Sequence, residues 1–227
     1  MKFVFFYTDD KIYSQHARLL QNSLEKLNLD FYSEKVSSSE WQKIIAYKPK
    51  FILEMRKKFR GKLIYIDADA FIHSYPKLFD EINNEDLAVH FFRGDELVSS
   101  TMLLNDNPET LNMLELWVSE MEKTPEIWDQ KILQKVIEKN KFNIYKLPPE
   151  YTFIISLSDK EYPDIKTPII EQLQASREVR FQERKLEVEN RFFRKLFRLK
   201  KRVDPQTFER REKVKHLSKK FGWEFNH

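Results

Sequence analysis

Apolar positions in this chain fall into two alternating textures. Short, nearly unbroken runs end in polar residues, and longer segments repeat an apolar residue every three or four positions. The first run, Phe3–Thr8 (FVFFYT), predicts a buried strand. Ser14–Leu27 follows with Ala17, Leu20, Leu24 and Leu27 at helical spacing and Ser14 as an expected N-cap. Asp30–Val36 reads as a second strand. Ser37–Phe59 opens on cap residues and carries Trp41, Ile44, Ile45, Phe51, Ile52 and Met55 on one stripe, with Pro49 expected to break or restart the helix.

The run KLIYIDADAFI, Lys62 to Ile72, predicts one further strand, and Leu87–Phe92 and Ser100–Asn105 predict two more. Asn107–Glu122 is a helix with Pro108 in its first turn, Trp128–Asn140 another helix, and Phe142–Pro148 a late strand. Strand and helix alternate over the first seventy residues, which predicts an α/β sheet with parallel strands at its centre. From Arg180 the texture changes to basic, amphipathic helix. Arg180–Arg202 carries Leu186, Phe193, Leu196, Phe197 and Leu199, and Asp204–Gly222 is framed by Asp204, Pro205 and Gly222. These residues predict a helical hairpin appended to the domain, so the expected division is 1–177 and 178–227.

Composition narrows the chemistry. The 227 residues include no Cys, which excludes disulfides, thiolate nucleophiles and Cys-ligated metals. The five His show no zinc-site spacing, and neither G-x-S-x-G nor a P-loop occurs. The opening apolar run is too short for a signal segment and no stretch suits a membrane span, so a cytoplasmic protein is expected. The net charge of +4 hides an asymmetry, because residues 1–176 sum to −5 and residues 177–227 to +9.

Two acids, Asp67 and Asp69, stand at the exit of the apolar run LIYI with only Ala68 between them. In extended chain residues i and i+2 share a face, so both carboxylates can aim at one cation. Their hard oxygens suit Mg²⁺ or Mn²⁺. As plain turn formers they would instead risk burying charge beside a core strand. Lys48 offers a point charge suited to a diphosphate, and Arg56 invites the same argument, against the ordinary reading of both as solvated residues.

In this setting LIYIDADAFI resembles the D-x-D strand of GT-A glycosyltransferases, where the acids hold a metal that bridges a nucleotide-sugar diphosphate. FVFFYTDDKIYSQHARLLQNSLEKLNLDFY is similar to their first strand and helix. YKPKFILEMRKKFRGKLIYIDADA resembles the helix leading to the metal strand. SSTMLLNDNPETLNMLELWVSEMEKTPEIWDQKILQKVI resembles the sugar-facing strand, a helix and a W-D-Q helix start, and PIIEQLQASR (Pro168–Arg177) the closing segment. The likeness spans about residues 1–177.

The resemblance implies a mixed GT-A (Rossmann-like) α/β sheet with flanking helices. It implies that Tyr7 borders the base, that Thr8 or Asp9 reaches base or ribose, and that Ser100 faces the donor sugar. It places Asp129 in the catalytic pocket, touching the sugar or acting as base, with Gln130 beside it. Many relatives supply a His as third metal ligand, and this chain has Gln172 there. The expected reaction is metal-dependent sugar transfer from a nucleotide-sugar donor, a UDP-sugar by family analogy, to a glycan, lipid-linked or protein acceptor.

Two other readings stand beside it. One is a non-catalytic nucleotide-sugar-binding homologue, argued from Gln172. The other is a haloacid-dehalogenase-type phosphohydrolase, in which the first Asp would be a nucleophile. The basic tail is expected to pack on the domain. The alternative is peripheral contact with an anionic membrane through residues 180–220, as basic amphipathic helices allow. It carries no nucleic-acid reading motif, and no nucleic-acid partner is expected.

Overall fold

The computed structural model describes residues 1–38, 41–189 and 205–227. The expected stripe residues Phe193, Leu196, Phe197 and Leu199 lie outside them. Strands β1 (Lys2–Thr8), β2 (Phe31–Val36), β3 (Leu63–Ile66), β5 (Leu87–Phe92), β6 (Glu96–Leu104) and β7 (Ile144–Lys146) form a six-stranded sheet in the order β2-β1-β3-β6-β5-β7. β1 pairs in parallel with β2 and β3, whereas β6 runs antiparallel to β3 and β5. The sheet is therefore mixed, with an antiparallel pair at its centre where the alternation of elements predicts parallel strands. A β5–β6 hairpin turning through Arg93 (φ 55°) and Gly94 (φ 90°) places β6 beside β3 by a local connection, so no crossover helix is needed there.

Both faces of the sheet are covered, which is why β1, β3, β5 and β6 are buried along almost their whole length. On one face α2 (Trp41–Lys58), α4 (Pro108–Lys123) and α5 (Asp129–Lys139) pack Phe51, Ile52, Met113, Trp117 and Leu133 against Val4, Tyr65 and Met102. On the other, α1 (Lys11–Lys26) sets Ala17, Leu20 and Leu24 against Phe3, Phe5 and Ile64. α1 begins earlier than expected: Asp10, not Ser14, is the N-cap, accepting from the Ile12 and Tyr13 amides. α2 is continuous through Pro49. Proline costs about 3 kcal/mol inside a helix, and full burial of Phe51 and Ile52 beyond it offsets that loss.

The segment expected as one strand through Asp67 and Asp69 is two. β3 ends at Ile66, the chain turns with the Ala70 amide on the Asp67 carbonyl (3.0 Å), and β4 (Ala70–Ile72) joins a different sheet. That small sheet has the order β4-β9-β8, with β9 (Ile170–Gln172) and β8 (Phe153–Ile154), neither evident as strands in the sequence. The acids thus occupy a turn between two sheets, not a face of one strand.

Two short helices, α3 (Leu78–Glu81) and α6 (Ser158–Glu161), complete the connections. α7 (Ala175–Glu189) runs across position 177, and α8 (Pro205–Lys219) packs into the body. Val214, Leu217 and Phe225 are buried with Ile12, Leu19, Phe71 and Leu173. Arg211 forks onto Glu178 at 2.6 and 3.0 Å, and Lys213 reaches the buried Glu171 at 3.1 Å, which His73 also meets at 2.8 Å. Among the described residues, no helix is long and apolar enough to cross a membrane.

Candidate active site

A cleft of about 610 Å³ opens where β1 and β3 end, in the place where open α/β sheets bind ligands. Its walls come from the ends of β1 and β3, the start of α1, the first half of α2, the start of β6, the N-terminus of α5, β8, β9 and the first turns of α7. Tyr7, Thr8, Lys48, Asp67, Ala68, Asp69, Ser100, Asp129, Gln130 and Gln172, all singled out from sequence, line it together. Asp9 does not line it. The Asp9 carboxylate staples the loop after β2, accepting from the Ser38 amide at 2.7 Å and the Ser38 hydroxyl at 2.5 Å. Arg56 lies at the opposite end of the sheet, bonded to the carbonyls of Gly61 (2.6 Å), Leu104 (3.0 Å) and Phe59.

A charge network organises the cleft floor. Lys48 is buried, with Nζ 3.1 Å from Asp67 Oδ1, 3.3 Å from Asp129 Oδ2 and 3.0 Å from Ser99 Oγ. Burial disfavours its charge, but the Asp67 and Asp129 carboxylates more than offset this, and its pKa lies above the ordinary lysine value. The ammonium therefore persists at neutral pH. Ser99 donates to Asp129 Oδ2 at 3.2 Å, and Tyr65 donates to Asp67 Oδ1 at 2.8 Å. Asp129 Oδ2 is thus engaged, and Oδ1 is its remaining oxygen.

Asp69 is held differently. Its Oδ2 accepts from the Ala175 amide (2.7 Å) at the start of α7, where amide groups favour negative charge. Desolvation and then the neighbouring Asp67 charge still push its pKa up to about 6. Two acids at such a turn repel one another, and a cation shared between them would relieve the repulsion.

Several buried polar atoms face this region without a protein partner. Ser100 Oγ, Gln172 Oε1 and Gln174 Oε1 are three of them. Gln172 is anchored through its other end, Nε2 donating to Thr101 Oγ1 at 3.0 Å, so its oxygen has a fixed direction. Gln174 is held at φ 56°, a conformation that non-glycine residues rarely adopt.

Asp10, Tyr13, Ser38, Trp128, Gln174, Ser176 and Arg180 also line the cleft, and none of them is a site residue expected from sequence. Asp10 is legible there as an acid before a helix; it caps α1 and accepts the Thr8 hydroxyl. Burial, then the Asp69 and Asp67 charges, push the Tyr13 phenol well above its usual range. Arg180, read from sequence as the start of a basic tail, reaches the cleft only because α7 begins beside Asp69. Among the described residues, no group of three His, Cys, Asp or Glu side chains is placed to hold a metal.

No protein-family model and no curated protein sequence matches the chain. Solved structures do. A glycosyltransferase involved in glycosylation of the major capsid of PBCV-1 superposes with a TM-score of 0.57 at 14% identity, covering 77% of this chain and 93% of that one. The glycosyltransferase GlyE of Streptococcus pneumoniae TIGR4 gives 0.56 at 14% identity, over 75% of this chain but only 53% of GlyE. This chain therefore spans about half the length of GlyE. The galactosyltransferase LgtC, solved with donor and acceptor sugar analogs, gives 0.52 at 11% identity over 76% and 86% of the two chains. The fold of this chain is that of the GT-A-type glycosyltransferases.

Proposed function

We propose that the protein is a glycosyltransferase that moves a sugar from a nucleotide-diphosphate donor, a UDP-sugar by family likeness, to an acceptor hydroxyl. The observation that carries this is the cleft floor: Asp67 and Asp69 beside Lys48, which ties the acids to Asp129 across the exit of β3. In the reaction the acceptor oxygen bonds to the anomeric carbon and the bond from that carbon to the diphosphate oxygen breaks. Its electron pair stays on the diphosphate, and the hydroxyl proton passes to a base.

The residues fit a hard divalent cation, Mn²⁺ or Mg²⁺. Two carboxylates and the unpartnered amide oxygen of Gln172 are all hard donors, and such ions are usually completed by substrate phosphates and water. When bound, the ion would neutralise charge developing on the departing diphosphate. Tyr7, Thr8 and Asp10 then serve base and ribose at the end of β1. Ser100 Oγ and Asp129 Oδ1 meet sugar hydroxyls, and Gln130 lies beyond them. Lys48 keeps Asp67 and Asp129 at fixed separation and adds positive charge beneath the diphosphate.

The phosphohydrolase alternative is not favoured. Its nucleophile would be Asp67, and the solved structures on which the chain superposes are glycosyltransferases. Peripheral membrane contact through residues 180–220 is checked by liposome sedimentation. The decisive test of the main reading is hydrolysis of UDP-sugars with Mn²⁺, wild type against Asp69→Ala. Equal rates remove the metal role, and Mn²⁺-dependent UDP binding without turnover on a wide donor panel favours a binding protein.

A further inference from the structure

Trp128 lines the cleft, yet the donor reading gives it no task. The residue is 55% exposed. The other large apolar side chains exposed among the described residues, Tyr75, Leu157 and Phe208, do not line the cleft. A lone exposed ring elsewhere on a surface needs no explanation. Here the ring adjoins Asp129 and Gln130, in a cavity whose convergent polar groups already mark a binding site.

The sheet order fixes which end of the cleft this is. β1 lies on one side of β3, carrying Tyr7 and Thr8, and β6 lies on the other. Asp129 is tied to β6 through Ser99, and Gln130 Nε2 lies 3.5 Å from Glu96 Oε1 on the same strand. Trp128 therefore stands on the β6 side of the cleft, across β3 from Tyr7 and Thr8, the side that the glycosyltransferase reading leaves for the second substrate. Its backbone is held, with its carbonyl accepting from the Lys131 and Ile132 amides at 3.0 and 3.2 Å. The Trp117 indole donates to the Asp129 carbonyl at 2.9 Å.

Resting on the glycosyltransferase reading above, we propose that Trp128 is the platform of an acceptor subsite and that the acceptor is a pyranose sugar of a glycan. One face of a pyranose is a patch of C–H bonds, whose slightly positive hydrogens suit the negative face of an indole ring. Its edge carries hydroxyls, which suit Gln130 and Glu96. The Lys131 ammonium lies over one face of the ring, 6.0 Å from its centre; the other face, fringed by hydrogen-bonding groups, matches that two-faced chemistry. An acyl chain would need a continuous apolar wall, which Asp129, Gln130 and the exposed Glu96 interrupt.

The test uses the full chain labelled with 5-fluorotryptophan, the Trp128 resonance being assigned with Trp128→Phe. Methyl glucopyranoside, methyl galactopyranoside, maltose and lactose are titrated with and without UDP and Mn²⁺, alongside a Ser/Thr hexapeptide and decanol. A pyranoside should move the Trp128 signal saturably. Trp128→Ala should weaken saccharide binding at least about tenfold and Trp128→Phe much less, with UDP affinity in both unchanged within about twofold. The proposal is overturned if no saccharide moves the signal, if only peptide or decanol does, or if Trp128→Ala binds saccharide like wild type. Failure of the wild type to bind UDP counts against the donor reading instead, and the saccharide titration without UDP still decides Trp128.

Discussion

Helix α2 carries two buried cations eight residues apart, Lys48 and Arg56, and they serve opposite ends of strand β3. At the N-terminal end Arg56 spends its two terminal nitrogens on the Gly61, Leu104 and Phe59 carbonyls, with Asp106 at 3.7 Å. Lys62 closes the same end by donating to the Phe79 and Asp80 carbonyls at 2.8 and 2.7 Å. At the C-terminal end Lys48 meets side-chain carboxylates, and Ser100 Oγ and Gln172 Oε1 stay unpartnered. A guanidinium whose two terminal nitrogens are held by backbone carbonyls serves as scaffold. An ammonium held between two carboxylates that line the cleft is placed for the proposed site. Burial alone does not separate them; the chemistry of the partners does.

That contrast can be broken or sharpened by substitution. The largest expected effect is at the acids. Asp67→Ala removes one of the two carboxylates proposed to hold the cation and half of the Lys48 pairing, and sugar transfer should fall about a thousandfold, or about 4 kcal/mol in the barrier, while the chain still folds by circular dichroism. Next is Arg56→Met, which strands buried carbonyls. It should lower stability in urea by about 3 kcal/mol and leave UDP affinity of the folded fraction unchanged. Lys48→Met should cut transfer about a hundredfold, and Lys48→Arg should not restore it, because a planar fork does not replace a compact ammonium. If Lys48→Met instead behaves like Arg56→Met, costing stability but no activity, the distinction between the two ends is lost.

The smallest effect is in pH dependence without metal. Asp69 has a folded pKa of about 6 against an ordinary value of 3.8. The folded state therefore holds this proton more tightly than the unfolded chain. The resulting stabilisation is complete below the unfolded value and is lost as pH rises through about 6. In EDTA, wild type should lose stability relative to Asp69→Asn across that window, measured by urea midpoints. A difference that grows in the opposite direction contradicts the crowding of charge at the cleft end.

Much of the fold and of the cleft is legible in the order of residues. The run FVFFYT has the unbroken apolar character of a strand buried on both faces. The D-A-D triplet after LIYI and the W-D-Q helix start point to residues that line one cavity. The setting of the acids is less legible: their spacing suits one face of a continuous strand, and they lie in a turn between sheets. β8 and β9 leave no sign in the sequence, because two- and three-residue strands have no periodicity to read. Asp9 and Asp10 are chemically equivalent neighbours, and only the geometry of the turn sends one to Ser38 and the other to the helix end and the cleft.

The sequence by itself determined the class of fold and the kind of chemistry available. Apolar runs must be buried, and a chain without cysteine has no thiolate to offer. What only the tertiary structure decided is which charges meet. Lys48, Asp67, Asp129 and Gln172 are distant along the chain, and their partnership comes from strand order and helix packing. A helix carrying two buried cations gives no local sign of which one faces the cleft, because electrostatic pairing depends on distance in space and on what else fills the surroundings.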